Sequence, residues 1–409
     1  MKYSELVEAA ALKRSDSLLK AIQDSTIHHM LVDCARELDS VNKHITVDEE
    51  LVDDAAKAYT ELGEMLVKEL RWGEDEIQIL PQGSASTQTL IAAPTAADFD
   101  IDAVCYVELH HTEAHDPLVF FQEVFDALLP MRPVKKNRCM RINYPNQRFY
   151  IDFTPAVPLA NVPADVRAGM RPVSMYADTA VAVVDIPSQQ WKTSNPLGMV
   201  KWVSTQADRI VLRQLVLATE ALEKRADIHP VPLQTVPLSD TLRVSIRLFK
   251  RHRDMAVKRG LLVQEFMPIS IIITTLLTQC YQGMADKGVF YDHPIELLAD
   301  LAALLPGMIE TREDGHWVAN PTVEGENFAE RWNKDNNQRF NEFHKWCKQL
   351  VADLGRILES ANPTQLRERI QTVFGCVGVS AEDEMVEPGW LAAAVPKSVK
   401  PVPPKSGLA

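Results

Sequence analysis

The sequence predicts an α/β (α+β) fold of two lobes, on three observations. Residues 1–72 carry apolar side chains at helical spacing, residues 73 to about 160 hold short strand-like runs around a helical stretch, and helical spacing returns from about Asn195. The length of 409 residues fits this, because a single domain usually holds roughly 100–200.

The elements follow in order. Thr46-Val47-Asp48-Glu49 matches a capping box, in which the Thr hydroxyl and the Glu carboxylate satisfy orphan amides at a helix start. Leu51, Ala55, Ala58, Leu62, Met65, Leu66 and Leu70 then recur at helical spacing, with Gly73 as the expected stop. Residues 77–80 form a short strand, 100–107 a longer one, and 148–153 a third that Pro155 is expected to end. Residues 117–129 are expected to be helical, as are 241–257, 268–281, 294–304, 325–353 and 363–374. Residues 396–409 carry four prolines and three lysines with little to bury, which predicts a mobile tail.

Composition excludes several classes. Apolar residues at 46% and charged residues at 24% rule out a disordered or fibrous chain. The net charge of −13 argues against a protein that holds extended nucleic acid, because phosphate neutralisation dominates that affinity. No run of about 18 apolar residues occurs, so no membrane span is expected, and the first residues lack a signal-peptide core. The six cysteines are scattered without a CxxC pair, as expected of reduced thiols in the cytoplasm. His344 and Cys347 lie one helical turn apart, but two groups do not close a zinc site.

One constellation carries chemistry. Gly83-Ser84 follows the first strand, where glycine permits positive φ and a following helix start offers amides to phosphate oxygens. Asp100 and Asp102, two apart on a strand, share a face, and Asp152 on another strand could complete a trio. Three carboxylates that close cannot all stay ionised without cations. Mg2+ is the natural counterion, and two such ions can activate a hydroxyl and stabilise a leaving oxygen. Asp98-Asp100 is the other possible pairing; the apolar strand that runs on from Asp102 favours Asp100-Asp102. Lys250, in the run Lys250-Arg251-His252-Arg253, is a candidate for phosphate, against the plainer reading of a solvated helix end. Trp191 and Trp202 are expected to pack rather than to stack on a base.

Gly-Ser, then Asp-x-Asp, then a third Asp resembles the polymerase-β-type nucleotidyltransferases. More narrowly, the chain resembles the bacterial cyclic-oligonucleotide synthases known as CD-NTases, relatives of cyclic GMP-AMP synthase. That match rests on Gln82-Gly83-Ser84 with Thr87 and Thr89, residues 98–102, residues 151–156, Trp191 to Pro196 with Trp202, residues 246–251 and residues 270–277.

The resemblance implies a polymerase-β-like core with a mixed sheet over residues 1–200, a helical lobe over 201–385 and a tail over 386–409. It implies Asp100, Asp102 and Asp152 as catalytic metal ligands for two Mg2+ ions, with Mn2+ as a substitute, and Gln82, Gly83, Ser84, Lys250 and Ser270 as nucleotide-binding residues. The substrates would be ATP, GTP or other nucleoside triphosphates. The product would be a cyclic di- or trinucleotide acting in anti-phage signalling. A ubiquitin-activating-like partner would conjugate the C-terminus at Ala409. Two other readings share these residues: a linear nucleotidyltransferase acting on RNA or a small acceptor, and a catalytically silent nucleotide-binding scaffold.

Overall fold

A computed structural model describes residues 2–13, 18, 20, 22, 28–73, 76–94, 99–108, 116–144, 147–209, 211, 212 and 231–376. The helices α1 (Tyr3–Ala11), α2 (His28–His44) and α3 (Glu49–Leu70) lead into the first strand. The predicted capping box does not form. Asp48 is the N-cap without a side-chain bond, while Thr46 Oγ1 donates to Asn42 O at 2.9 Å and accepts from Arg247 Nη2 at 2.6 Å. A tertiary cation has taken the hydroxyl that the local motif would use. Nor does Gly73 end the helix: Arg71 takes the left-handed position at φ 57°.

The sheet has seven strands: β1 (Ile77–Gln82), β2 (Phe99–Val107), β3 (Val134–Lys135), β4 (Met140–Tyr144), β5 (Phe149–Pro158), β6 (Val181–Asp185) and β7 (Gln190–Ser194). It runs β1-β2-β5-β4-β3, with β6 on β5 and β7 on β6. Among the described residues, the central β2–β5 pair is the only parallel pair of the sheet, so the sheet is mixed, as expected. Pro155 does not end β5. On that edge β4 pairing stops at Phe153 and β6 pairing starts at Ala156, so Pro155 falls in a gap between two neighbours, where the lack of a donor is tolerated. One face of the sheet packs on α3 and on α5 (Pro117–Ala127), through Leu62, Leu66, Phe120, Phe121, Val124, Ile151 and Phe153. The short helices α4 (Gly83–Ser86) and α6 (Ala164–Arg167) lie between strands.

The second lobe is helical: α7 (Pro196–Ala207), α8 (Thr241–Lys258), α9 (Ser270–Asp286), α10 (Pro294–Leu304), α11 (Gln338–Leu358) and α12 (Pro363–Phe374), with a hairpin of β8 (Glu310–Arg312) and β9 (Gly315–Trp317). α10 and α12 match their predicted limits, each started by a side-chain cap and a proline. The helix expected over 325–353 starts only at Gln338, because residues up to 328 are held in a cross-bonded loop. Leu6, Val7, Ala10, Cys34, Leu38 and Val41 pack into the helical core with Leu242, Phe249, Leu276 and Trp346. The helices α1 and α2, grouped by sequence with residues up to 200, therefore bury their apolar faces in the other lobe, while α3 stays on the sheet. Gly283 permits this approach: a Cβ there would lie 2.5 Å from Tyr3 O.

Candidate active site

Strand register builds the site. Gln82 pairs with Asp102, Asp102 with Asp152, and Asp152 with Arg141, so one row crosses four strands. Aligned residues of neighbouring strands point to the same face. Asp100 lies two residues before Asp102 and opposite Tyr150. The predicted trio is assembled: Asp100, Asp102 and Asp152 each offer a carboxylate oxygen, all within 4.8 Å of one another. Asp98 lies outside the described residues.

The trio is short of positive charge. Burial, then the Asp100 and Asp152 carboxylates, push Asp102 up to about 8. Burial and the Asp152 charge also raise Asp100, against Arg141 and a hydrogen bond from Tyr150. Arg141 forks onto Asp152, with Nε on Oδ1 and Nη2 on Oδ2, both at 2.7 Å, and its guanidinium lies 3.7 Å from the centre of the Tyr150 ring. Hard oxygen donors gathered this closely, with Asp102 pushed toward its neutral form for want of a counter-charge, fit a hard divalent cation.

Gly83 turns the chain beside this row at φ +63°, and a Cβ there would meet Asp102 Oδ2 at 2.2 Å. Only glycine lets the turn lie against the carboxylate. Ser84 Oγ accepts from Lys250 Nζ at 2.7 Å, and the ammonium also reaches Thr89 O at 2.9 Å and Thr89 Oγ1 at 3.2 Å. Lys250 is 2% exposed. Burial first, and Arg253 next, lower its pKa to about 7. It stands behind the turn, holding Ser84 with the hydroxyl proton free to donate outward. Gln82 braces three strands, its Nε2 on Thr154 Oγ1 at 3.2 Å and Ala103 O at 3.4 Å.

A cleft of about 270 Å³ between the lobes is lined by Gln82, Gly83, Ser84 and Asp102 from one side and by Ser270, Asn320, Glu326 and Phe328 from the other. Ser270 accepts from Arg253 Nη1 at 3.2 Å at the start of α9. Ala409 lies outside the described residues. Trp191 packs on Phe120, with ring centroids 5.5 Å apart, and Trp202 donates to Gln282 at 2.9 Å, the packing roles expected. Cys347 is fully buried in the helical core, while the His344 ring lies against Phe340 and Phe343.

Thr89, part of the turn that carries the resemblance, is brought onto Lys250; Arg141, Tyr150 and Glu326 were not found by sequence reasoning. Met140, Ile142 and Tyr144 alternate with Arg141 and Asn143, a two-residue period that marks β4 and puts Arg141 on one face with Asn143. No comparable local signal points to Glu326.

Residues 77–155 match the family model for the nucleotidyltransferase domain of DncV-like cyclic GMP-AMP synthases. A c-di-GMP synthase of Roseivirga ehrenbergii is 27% identical over 267 residues, which take in 64% of this chain and 62% of that protein. The CD-NTase CdnG of Bradyrhizobium diazoefficiens, solved in complex with GTP, superposes with a TM-score of 0.53 at 19% identity, over 84% of this chain and 96% of that one. CdnC of E. coli MS115-1, solved with ATP, gives 0.54 at 12% identity over 83% and 98%. These two likenesses speak to the fold. With a matching core model over residues 77–155, a synthase relative and the acidic row on the expected strands, the chain is similar to the bacterial CD-NTases in its nucleotidyltransferase core and in its fold.

Proposed function

We propose that this protein joins nucleoside triphosphates into a cyclic oligonucleotide by divalent-cation-dependent nucleotidyl transfer. The observation that carries the reading is the convergence of Asp100, Asp102 and Asp152 beside the Gly83-Ser84 turn, at the mouth of an interlobe cleft. Asp100, Asp102 and Asp152 would hold two Mg2+ ions, which supply activation of the attacking hydroxyl and neutralisation of the leaving pyrophosphate when bound. The chain's own groups do the rest. The Ser84 hydroxyl and the amides of the Gly83 turn take the β- and γ-phosphate oxygens, with Lys250 polarising Ser84 from behind. Asp152, freed on one oxygen from Arg141, accepts the proton of the acceptor 3′-hydroxyl. Ser270 closes on the phosphates from the helical lobe, and the cleft excludes competing water. A second transfer within the linear intermediate closes the ring.

The Roseivirga relative is a c-di-GMP synthase, which makes a guanine-containing ring the first product to look for. The function in anti-phage defence, a cytoplasmic site of action and a ubiquitin-activating-like partner acting at Ala409 are parts of this proposal that rest on resemblance. No helix among the described residues is long and apolar enough to cross a membrane. The test is mass spectrometry of the protein incubated with all four triphosphates and Mg2+. The proposal expects a phosphatase-resistant cyclic product and pyrophosphate, both absent for Asp100→Ala/Asp102→Ala. An extended RNA or a tagged small acceptor would support a linear transferase instead.

A further inference from the structure

Residues 318–328 form a loop bonded to itself: Phe328 N donates to Val318 O at 2.9 Å and Asn320 N to Glu326 O at 3.0 Å. Asn327 Oδ1 accepts from Val318 N at 2.9 Å. The loop is also tied to the sheet lobe, through Val173 N on Thr322 O at 3.0 Å and Glu324 N on Arg171 O at 2.8 Å. Held from both sides, it presents Asn320, Glu326 and Phe328 to the cleft that Asp102 and Ser84 line.

An acidic side chain is out of place in a cleft that takes a polyanion, unless it faces hydrogen-bond donors. Glu326 Oε2 accepts from Asn320 Nδ2 at 2.6 Å. Its Oε1 lies 3.6 Å from Arg138 Nη1, an ion-pair separation rather than a hydrogen bond. The carboxylate, with about four lone-pair positions, therefore keeps acceptor sites to offer. Arg138 itself is engaged by Asp185 at 2.9 Å. Phe328, half-buried against the helical core, adds an apolar surface on the same loop.

We propose that Glu326 selects guanine in the bound triphosphate, by accepting the N1–H and N2–H donors of its Watson–Crick edge. This rests on the triphosphate reading above. Guanine alone among the four bases sets two donors side by side. Adenine and cytosine set a donor beside a ring nitrogen acceptor, which a carboxylate repels, and uracil has one donor between two acceptors. A site that must hydrogen-bond a base edge discriminates strongly, because the wrong base leaves polar groups unpaired. Phe328 would cover the base plane while Glu326 reads its edge.

The test is equilibrium binding of the α,β-methylene analogues of GTP and ATP with Mg2+, which reads the base without requiring transfer. The wild-type protein should prefer the guanine analogue by about 10-fold or more, the scale of one charge-assisted hydrogen bond. Glu326→Gln offers one acceptor and one donor, the complement of adenine, so the preference should shift toward the adenine analogue by a similar factor. Arg138→Ala should keep the guanine preference. Equal weakening of both analogues in Glu326→Gln, the same shift in Arg138→Ala, or no preference in the wild type each overturns the assignment, leaving the transferase reading in place. If neither analogue binds the wild-type protein, the transferase reading falls and the assignment falls with it.

Discussion

At the residue scale, the Gly83–Asp102 contact is the tightest constraint at the site. An alanine at Gly83 would carry a positive φ and drive its Cβ into a carboxylate oxygen. Gly83→Ala is expected to lower stability by about 1–3 kcal/mol in chemical denaturation and to abolish turnover, since the turn cannot move without moving Asp102. The neutral tendency of Asp102 gives a second prediction. Its folded pKa is raised to about 8 from 3.8, so its contribution to stability is present at acid pH and is lost as pH rises toward and through 8. In EDTA, Asp102→Asn should match the wild type near pH 4 and be the more stable of the two at pH 8–9. A pH-independent difference between the two would mean that the trio is not electrostatically strained.

At the scale of the element, α8 is the member that links the lobes. In sequence its cations read either as a phosphate contact at Lys250 or as a solvated end; in the structure they are buried and individually engaged. Arg247 donates to Gln234 O and Asn42 O, Arg251 to Phe374 O and Ala92 O, and Lys250 to Ser84 and Thr89. His252 Nδ1 accepts from Trp346 at 3.0 Å while Nε2 meets Asp353 at 3.0 Å, and Asp353 also accepts from Arg259 and Gln349 at 2.9 Å each and from Arg356. Burial works to raise the Asp353 carboxyl, yet these hydrogen bonds hold it well below the usual range. Asp353→Asn should therefore cost about 3–5 kcal/mol in urea denaturation, and its stability deficit should shrink as pH falls and the wild-type carboxylate protonates. Lys250→Met removes the brace on Ser84 and should lower transfer by about 10–100-fold, the loss typical of groups that orient others at a metal site, with little change in triphosphate affinity. The helix is legible in the spacing of Leu242, Ile246 and Phe249, and α10 and α12 fall on their expected limits, where a side-chain cap and a proline mark both starts. Strand β6, whose first four residues are buried, is not, because such a run has no alternation to read. The β4 strand was legible in principle and passed over.

At the scale of the whole molecule, the acidic trio could be read from sequence because two of its members sit two residues apart on one strand and the third lies in an apolar run where a lone carboxylate would be costly. What could not be read were partners set by tertiary register. Arg141 reaches Asp152 only because β4 pairs with β5 in one register, and Glu326 enters the cleft only because its loop is tied to residues 171 and 173 of the other lobe. The division of the chain was likewise obscured, since helices that begin the sequence complete the core of the second lobe. A ligand bridging the two lobes should stabilise both together. A triphosphate analogue with Mg2+ at 100 times its dissociation constant is expected to add about 2.7 kcal/mol, seen as a rise in melting temperature that Asp100→Ala/Asp102→Ala reduces. The central claim, that three carboxylates on β2 and β5 converge on divalent cations, is tested most directly by anomalous scattering from crystals grown with Mn2+ and the α,β-methylene analogue of GTP. The account predicts manganese within about 2.1 Å of oxygens from Asp100, Asp102 and Asp152, with Asp152 released from Arg141 on at least one oxygen. Manganese bound elsewhere, or Asp152 still held by Arg141 on both oxygens and touching no metal, would contradict it.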